Sequence, residues 1–424
     1  MRIITAAQLD SDPGRRVVIV GTGYAGMTAT VALAHKMRAS DNIEIVVVAP
    51  LPYQEALSEL DLVAAGTPRP QWAELWHGDI FRGLNVSVVY ERLDSVDVHS
   101  RRITLGSPDA PGGTISYWRL ILATGAIPSM PPVPGLAENA QSMWSVHDAL
   151  ELQQRVDRRF KRAATIDDPD ERRRAMSVCV IGGGATGVEI IGTLADVVPR
   201  MIARLGYDRS MVRLTLLEGR PDILYDLRPA ERAKAVKRLQ KMGVHVVVGE
   251  FLAELTPDTA RTETGREIPA TVSVWCGGAK ADPDAVGWGL EADNSGRLVV
   301  DPAYRAKSCP EVYAVGDVAA FKDPQTNRVL PMLAQFAIRG AAHCAENIIA
   351  EARGREVVPF VPHMHGEFVS VGPRWGVGWM FGMPVSGWFA IVMKRLTYIM
   401  YWLQVGTFRL AWRRTLQMMR MHRY

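Results

Sequence analysis

The sequence predicts an α/β protein built from two parallel-sheet units, one inserted into the other, followed by a C-terminal segment of different character. Three observations predict this. The apolar run Val178–Ile181 stops at Gly182-Gly183-Gly184-Ala185-Thr186-Gly187, and a helix-compatible stretch follows. The same pattern stands earlier, where Val17–Val20 runs into Gly21-Thr22-Gly23-Tyr24-Ala25-Gly26. After the second turn a complete unit closes at Cys276-Gly277-Gly278, and only then does another buried strand arrive, Val312–Val315, ending in Gly316-Asp317. Continuous apolar runs of this length belong to strands covered on both faces.

Each G-x-G-x-x-G turn carries a mechanism. The first glycine (Gly21, Gly182) turns the chain tightly. The second (Gly23, Gly184) lets a pyrophosphate approach the backbone. The third (Gly26, Gly187) lets helix and strand pack closely, with the phosphates at the positive end of the helix. One such turn is a weak signal. Two in one chain predict two Rossmann-like units, two dinucleotides and electron transfer between them.

Length and composition fit this class. The 424 residues suffice for two or three domains with sizeable cores. Hydrophobic content of 48% and charged content of 22% are those of a globular chain, not a disordered one. Net charge is +4, but residues 394–424 alone carry seven cations and no acid, leaving the other 393 residues at −3. The basic balance therefore belongs to the C-terminus, and no nucleic-acid partner is expected. The four cysteines, Cys179, Cys276, Cys309 and Cys344, lie far apart without metal-like spacing, so no metal site is expected and a reducing compartment is. Met1–Gly14 is polar, carries Asp10 and Asp12, and lacks the layout of a signal peptide.

In chain order, Met27–Arg38 reads as the first helix and Ile43–Val48 as the next strand, which ends in Ala49-Pro50 where an acidic ribose ligand is common. Residues 51–78 read as a loop with a short helix. Val86–Val89 and Arg102–Leu105 read as strands of an antiparallel insert joined by Asp94–Arg101, with a turn at Pro111-Gly112-Gly113. Tyr117–Ala126 is a strand ending in the small-residue crossing Ala123-Thr124-Gly125, and Pro128–Pro134 reads as an interdomain connection. Val146–Phe160 is a helix, and the charged stretch 155–174 a solvated helical hairpin. Met211–Leu217 is a strand ending at Glu218. A carboxylate there accepts hydrogen bonds from both hydroxyls of an adenosine ribose and repels a 2′-phosphate, which favours NADH over NADPH. Arg228–Lys241 is a helix, Val244–Val248 and Val272–Trp275 are strands, and Met332–Ala350 is a helix.

The C-terminus differs in kind. Trp375–Met393 holds 19 residues without a charge, long enough for a membrane span, but its glycines and Pro384 fit a strand hairpin better. Lys394–Tyr424 mixes apolar and aromatic residues with cations, the composition of a helix lying in a membrane interface. The alternative is a helix docked on the body or on a partner.

The ordered set of the first glycine turn, Leu122-Ala123-Thr124-Gly125, the second turn through Glu189, Trp275-Cys276-Gly277-Gly278, Val315-Gly316-Asp317, Ala334-Gln335 and a basic aromatic tail resembles the two-dinucleotide-binding flavoproteins. Within them it most resembles the type II, non-proton-pumping NADH:quinone oxidoreductases, over nearly the whole chain. The resemblance implies an FAD domain in two parts (residues 1–135 and 286–355), an NADH domain inserted between them (136–285) and a C-terminal strand hairpin with a membrane-association helix (356–424). It implies FAD contacts from Gly21, Gly23, Gly26, Thr124, Gly125, Asp317 and Ala334. It implies NADH contacts from Gly182, Gly184, Gly187, Glu218 and Gly278.

By the same resemblance, two electrons pass to a quinone, menaquinone or ubiquinone. Glu189 is then a proton carrier and Gln335 sits near the quinone head. The alternative role for Glu189 is a helix-terminal carboxylate stabilised by the dipole. The protein is expected as a peripheral homodimer on the cytoplasmic face of the cell membrane, held to anionic lipid by residues 394–424. Family members commonly continue Ala-Gln-x-Ala-x with two glutamines, and this chain has Arg339-Gly340. A soluble NADH-dependent reductase of a small iron–sulfur protein and an NADH-binding flavoprotein sensor therefore stay open as alternatives. A sulfide:quinone oxidoreductase would need a redox-active cysteine pair that these cysteines do not form.

Overall fold

The structure is a computed structural model that describes residues 1–9, 12–66, 70–107, 110–282 and 287–420. Asp10 and Arg423, singled out in the sequence, lie outside those residues.

Two twisted sheets organise the chain. The first has seven strands in the order Arg2–Ile3, Ser87–Val89, Glu44–Val48, Arg16–Val20, Arg119–Leu122, Cys309–Ala314 and Arg305–Ala306. All its pairings are parallel except the last. The second has five parallel strands in the order Ala140–Ser142, Val272–Trp275, Ser177–Ile181, Arg213–Glu218 and Val244–Val248. Every strand of the second sheet falls between Arg119–Leu122 and Cys309–Ala314, which are neighbours in the first. The architecture is therefore two Rossmann-like units, one inserted into the other. The two connections run side by side, with Ile127–Pro128 paired antiparallel to Ala279–Lys280. Trp275 Nε1 donates to Ser129 O across them at 2.8 Å.

The strands Arg16–Val20 and Ser177–Ile181 are buried along their whole length, as parallel strands under helices must be. Helix Tyr24–Lys36 packs on helix Ala334–Ala352, closing one face of the first sheet. The charged stretch forms the expected hairpin of Val146–Ala163 and Pro169–Ala175, capped by Ser145 and Asp168.

Three expectations are corrected. Ser87–Val89 belongs to the main parallel sheet, fully buried, rather than to the insert. The insert has three strands, Leu93–Asp97, Arg102–Ser107 and Ala110–Ser116. Leu93–Asp97 occupies part of what reads as a connection, because its single buried residue, Val96, gives too short an apolar signal. Pro111–Gly113 lies within Ala110–Ser116, not in a turn.

At the C-terminus the strands Gly376–Met380 and Met383–Gly387 form the expected hairpin, to which Gly366–Ser370 adds a third strand. Two helices follow, Trp388–Val405 and Phe408–Arg420, where one was expected. Among the described residues no helix is long and apolar enough to cross a membrane.

Candidate dinucleotide sites and a buried acid–base cluster

The two glycine turns have the same three-point geometry. A Cβ on Gly21 would lie 2.4 Å from Ala123 O, and one on Gly182 would lie 2.5 Å from Cys276 O. A Cβ on Gly26 or Gly187 would lie 1.9 Å from the carbonyl oxygen of Gly21 or Gly182. The middle glycines, Gly23 and Gly184, face open space, and each is the N-cap of its helix with no side chain capping it. The free first-turn N–H groups and the cleared space are what an anion at a helix N-terminus requires.

Around the first turn the structure gathers the other motifs of that unit. Gly21 abuts the Ala123-Thr124 crossing, and a Cβ on Gly316 would come within 3.0 Å of Ala25 Cβ. Thr124 Oγ1 is buried without a partner, and Gly125 opens onto empty space. Asp317 and Gly316 line a cavity with Arg297, Tyr304, Leu333 and Phe336. Burial pushes the Asp317 carboxyl up, opposed by the Arg297 charge. A buried orphan hydroxyl and a carboxylate beside a cavity fit a polyol-bearing ligand. Ala334 begins the helix beyond this cavity and is exposed.

Around the second turn, Glu218 Oε2 accepts from Gly183 N at 2.5 Å and Oε1 from Arg220 N at 2.7 Å. The carboxylate thus sits at the mouth of the turn, despite the long connection that separates them in sequence. Gly278 faces open space at the same end of the sheet.

Glu189 and Gln335 do not touch, but one strand joins them. Gln335 Nε2 donates to Gly366 O at 3.2 Å, and Ser370 N, at the other end of Gly366–Ser370, donates to Glu189 Oε1 at 2.9 Å. Glu189 also accepts from Lys394 Nζ at 2.5 Å, with both side chains 13% exposed. Burial works against the Lys394 charge, yet Glu189, Tyr398 and Asp61 raise the ammonium above its ordinary value. Lys394 also donates to Ser370 Oγ at 3.1 Å.

Further carboxyls surround this pair. Asp61 Oδ2 accepts from Thr193 Oγ1 at 2.8 Å, one turn along from Glu189, and burial pushes Asp61 up to about 6. Burial, with Asp226 and Glu189 nearby, pushes Glu367 up to about 7. Burial pushes Glu59 up to about 8, partly opposed by Arg414. A Glu59 carboxyl raised this far keeps a proton that the unfolded chain has lost. Its contribution to stability is therefore present at acidic pH and is lost as pH rises through about 8. Replacing Glu59 by Gln is expected to raise the melting temperature relative to wild type at pH 9 and to change it little at pH 5. An equal shift at both values would show that Glu59 carries no proton.

Arg339 Nη1 donates to His363 O at 2.5 Å. Gly340 turns inward, where a Cβ would meet the Tyr304 hydroxyl at 2.5 Å, so a glutamine there has no room. All four cysteines are unpaired, and burial pushes the Cys179 and Cys276 thiols up to about 12. None is set up to act as a thiolate.

The C-terminal helices have two faces, which corrects the reading of residues 394–424 as one basic helix lying in a membrane interface. Lys394 points inward to Glu189. Arg414 is buried, donating to the carbonyls of Trp72 and Glu74, and Arg413 pairs with Asp79. Trp402 is buried edge-on against Trp72, and Tyr401 donates to Gln54 Oε1 at 2.7 Å. The outer face exposes Trp388, Phe389, Leu396, Met400, Leu403, Phe408 and Trp412. Sequence composition did not separate these faces. The residues it missed are Arg297, Asp61, Glu59, Glu367 and the inward role of Lys394, and the one available signal was Lys394 as the first charge after an uncharged stretch.

Comparison with known proteins agrees with this arrangement. The type II NADH:quinone oxidoreductase of Staphylococcus aureus is 25% identical over 409 residues, covering 94% of this chain and 98% of that protein. Among solved structures, NDH2 from Plasmodium falciparum in complex with NADH superposes with a TM-score of 0.84 at 14% identity, over 97% of this chain and 98% of its own. The sulfide:quinone oxidoreductase of Aquifex aeolicus gives 0.75 at 17% identity, over 92% of each chain. The pyridine nucleotide-disulphide oxidoreductase family matches residues 15–341. With the fold and the twinned turns, that match over most of its length means that the chain belongs to the pyridine nucleotide-disulphide oxidoreductase family.

Proposed function

We propose that the protein is an FAD-dependent NADH:quinone oxidoreductase that reduces a membrane quinone without pumping protons. The observation that carries this reading is the pair of glycine turns with matching geometry, which provides for two dinucleotides in one chain. The quinone-reducing relative aligned over 94% of the chain supports the acceptor.

When bound, FAD supplies a ring that takes up a hydride and gives up two electrons. Gly21, Gly23 and Gly26 would hold its pyrophosphate, Thr124 and Gly125 would line its path, and Asp317 would accept from its hydroxyls. Ala334, at the free N-terminus of its helix, would add a backbone N–H. NADH would lie on Gly182, Gly184, Gly187 and Gly278, with Glu218 at its ribose. NADH and quinone yield NAD+ and quinol with uptake of one proton. In this reading Glu189 hands that proton on, and its contacts with Lys394 and Ser370 N, which hold and orient the carboxylate, support the role. Gln335, fixed by Gly366, would face the quinone head. Buried thiols that stay protonated speak against a cysteine-based sulfide oxidase.

The test is spectroscopic. Purified protein should show a flavin spectrum, bleach with NADH and recover with a short-chain quinone much faster than with oxygen. Recovery no faster than with oxygen would remove the quinone. Glu189→Gln is expected to slow the quinone step by about tenfold to a hundredfold while sparing bleaching by NADH. If both rates hold, Glu189 carries no proton.

The exposed aromatic face would enter an anionic membrane surface from the cytoplasmic side. Burying each large aromatic contributes about 1.5–3 kcal/mol. Replacing Trp388, Phe408 and Trp412 together by serine is therefore expected to cut binding to anionic vesicles by about a hundredfold or more. Turnover with a water-soluble quinone should persist. Unchanged sedimentation with vesicles would show that this face meets something else.

A further inference from the structure

Among the described residues Arg297 is the one cation lining the cavity beside Asp317, and no sequence motif marks it. The residue is 9% exposed. The guanidinium spends its donors on two main-chain carbonyls. Nε and Nη2 donate to Ala319 O, the first at 3.1 Å, and Nη1 and Nη2 each donate to Leu330 O at 3.1 Å. Ala319 follows Asp317 by two residues, and Leu330 opens the segment that leads to helix Ala334–Ala352. Both segments line the cavity, so one planar fork fixes two of its walls at once.

Among the described residues no carboxylate pairs with Arg297 within 4.0 Å, so its charge is not neutralised by a salt bridge. Asp293 and Asp317 are the acidic groups that act on it. A buried cation without an ion-pair partner is costly unless its field serves a neighbouring anion. Here that neighbour is Asp317, on which Arg297 is the opposing charge. Among the described residues Tyr304 is the only other titratable group in the lining, and burial raises its hydroxyl further from the neutral range.

We propose that Arg297 is a positioning residue for FAD, which staples the two segments walling the cavity and sets the field in which Asp317 meets the hydroxyl groups of the cofactor. The proposal rests on the assignment of FAD to the first unit. Without Arg297, burial alone would govern Asp317, and its carboxyl would hold a proton at higher pH. A protonated carboxyl accepts fewer hydrogen bonds from a polyol than a carboxylate does.

The test is flavin retention by the holoenzyme, followed as fluorescence of released FAD at several pH values. Arg297→Met is expected to weaken FAD binding by about tenfold at pH 8 and by more at pH 6. Arg297→Lys restores the charge but not the fork. It should weaken binding less than Arg297→Met and keep the wild-type pH dependence. In an Asp317→Asn background, Arg297→Met should lose its pH dependence and retain only the loss due to the staple. Flavin retention within twofold of wild type in Arg297→Met, or equal pH-independent losses in the Met and Lys variants, would overturn the proposal. Melting curves at saturating FAD separate weakened binding from a failure to fold. Wild-type protein that binds no flavin would instead refute the proposed function itself.

Discussion

Lys394→Met is expected to lower the stability of the protein by about 3–5 kcal/mol, the cost of stranding a buried carboxylate by removing its partner. Among the described residues Glu189 keeps only Ser370 N as a hydrogen-bond partner when the ammonium is gone. The double variant Lys394→Met, Glu189→Gln should recover most of the stability, because neither partner is left as an unpaired buried charge. Thermal melts of the two single variants and the double variant form the required cycle. Additive losses would show that the two groups do not depend on one another.

The same variant separates the two roles open to this lysine. If Lys394 were a surface cation, Lys394→Met would weaken binding to anionic vesicles and leave stability alone. The structure predicts the reverse. It also shows why deleting residues 394–424 is a poor test of membrane association. Such a deletion strips Lys394 from Glu189, Tyr401 from Gln54 and Arg414 from the Trp72 segment, all within the folded body.

Gly26→Ala and Gly187→Ala are expected to have large and opposite consequences for the two dinucleotides. In each case the new Cβ would lie 1.9 Å from a carbonyl oxygen of the backbone, which no rotamer relieves, so the helix must move off the strand. A displacement of about 1 Å at a site of this kind costs on the order of a hundredfold in rate. Gly26→Ala should purify with little or no flavin. Gly187→Ala should keep its flavin but be bleached by NADH about a hundredfold more slowly. The flavin content and the stopped-flow rate are read on the same preparations. The opposite pattern, with flavin lost from Gly187→Ala alone, would exchange the cofactors between the two units.

These expectations differ in how far the sequence alone supports them. The turn geometry rests on residues within six positions of one another, and Gly21–Gly26 and Gly182–Gly187 were legible for that reason. The strands were legible where both faces are buried, as at Ser177–Ile181, and not where a strand is mostly exposed, as at Leu93–Asp97. Glu218 was found by its place at the end of a strand, and its hydrogen bond to Gly183 follows from the parallel pairing of the two strands.

By itself the sequence determined two glycine turns, the order of the units, the acid at the end of the strand beside the second turn and a chemically distinct C-terminus. These are properties of short stretches, dictated by the steric freedom of glycine and by apolar runs. Only the tertiary structure decided which way the charges of the C-terminus face and which groups lie beside Glu189 and Asp317. Lys394 is 205 residues from Glu189, and Arg414 is 342 residues from Trp72. Lysine and arginine have long apolar stems with charged ends, so composition reads the same whether the end reaches water, lipid or a buried carboxylate. The packing of the C-terminal helices settles that choice, placing Lys394 and Arg414 inside and leaving the aromatic face exposed.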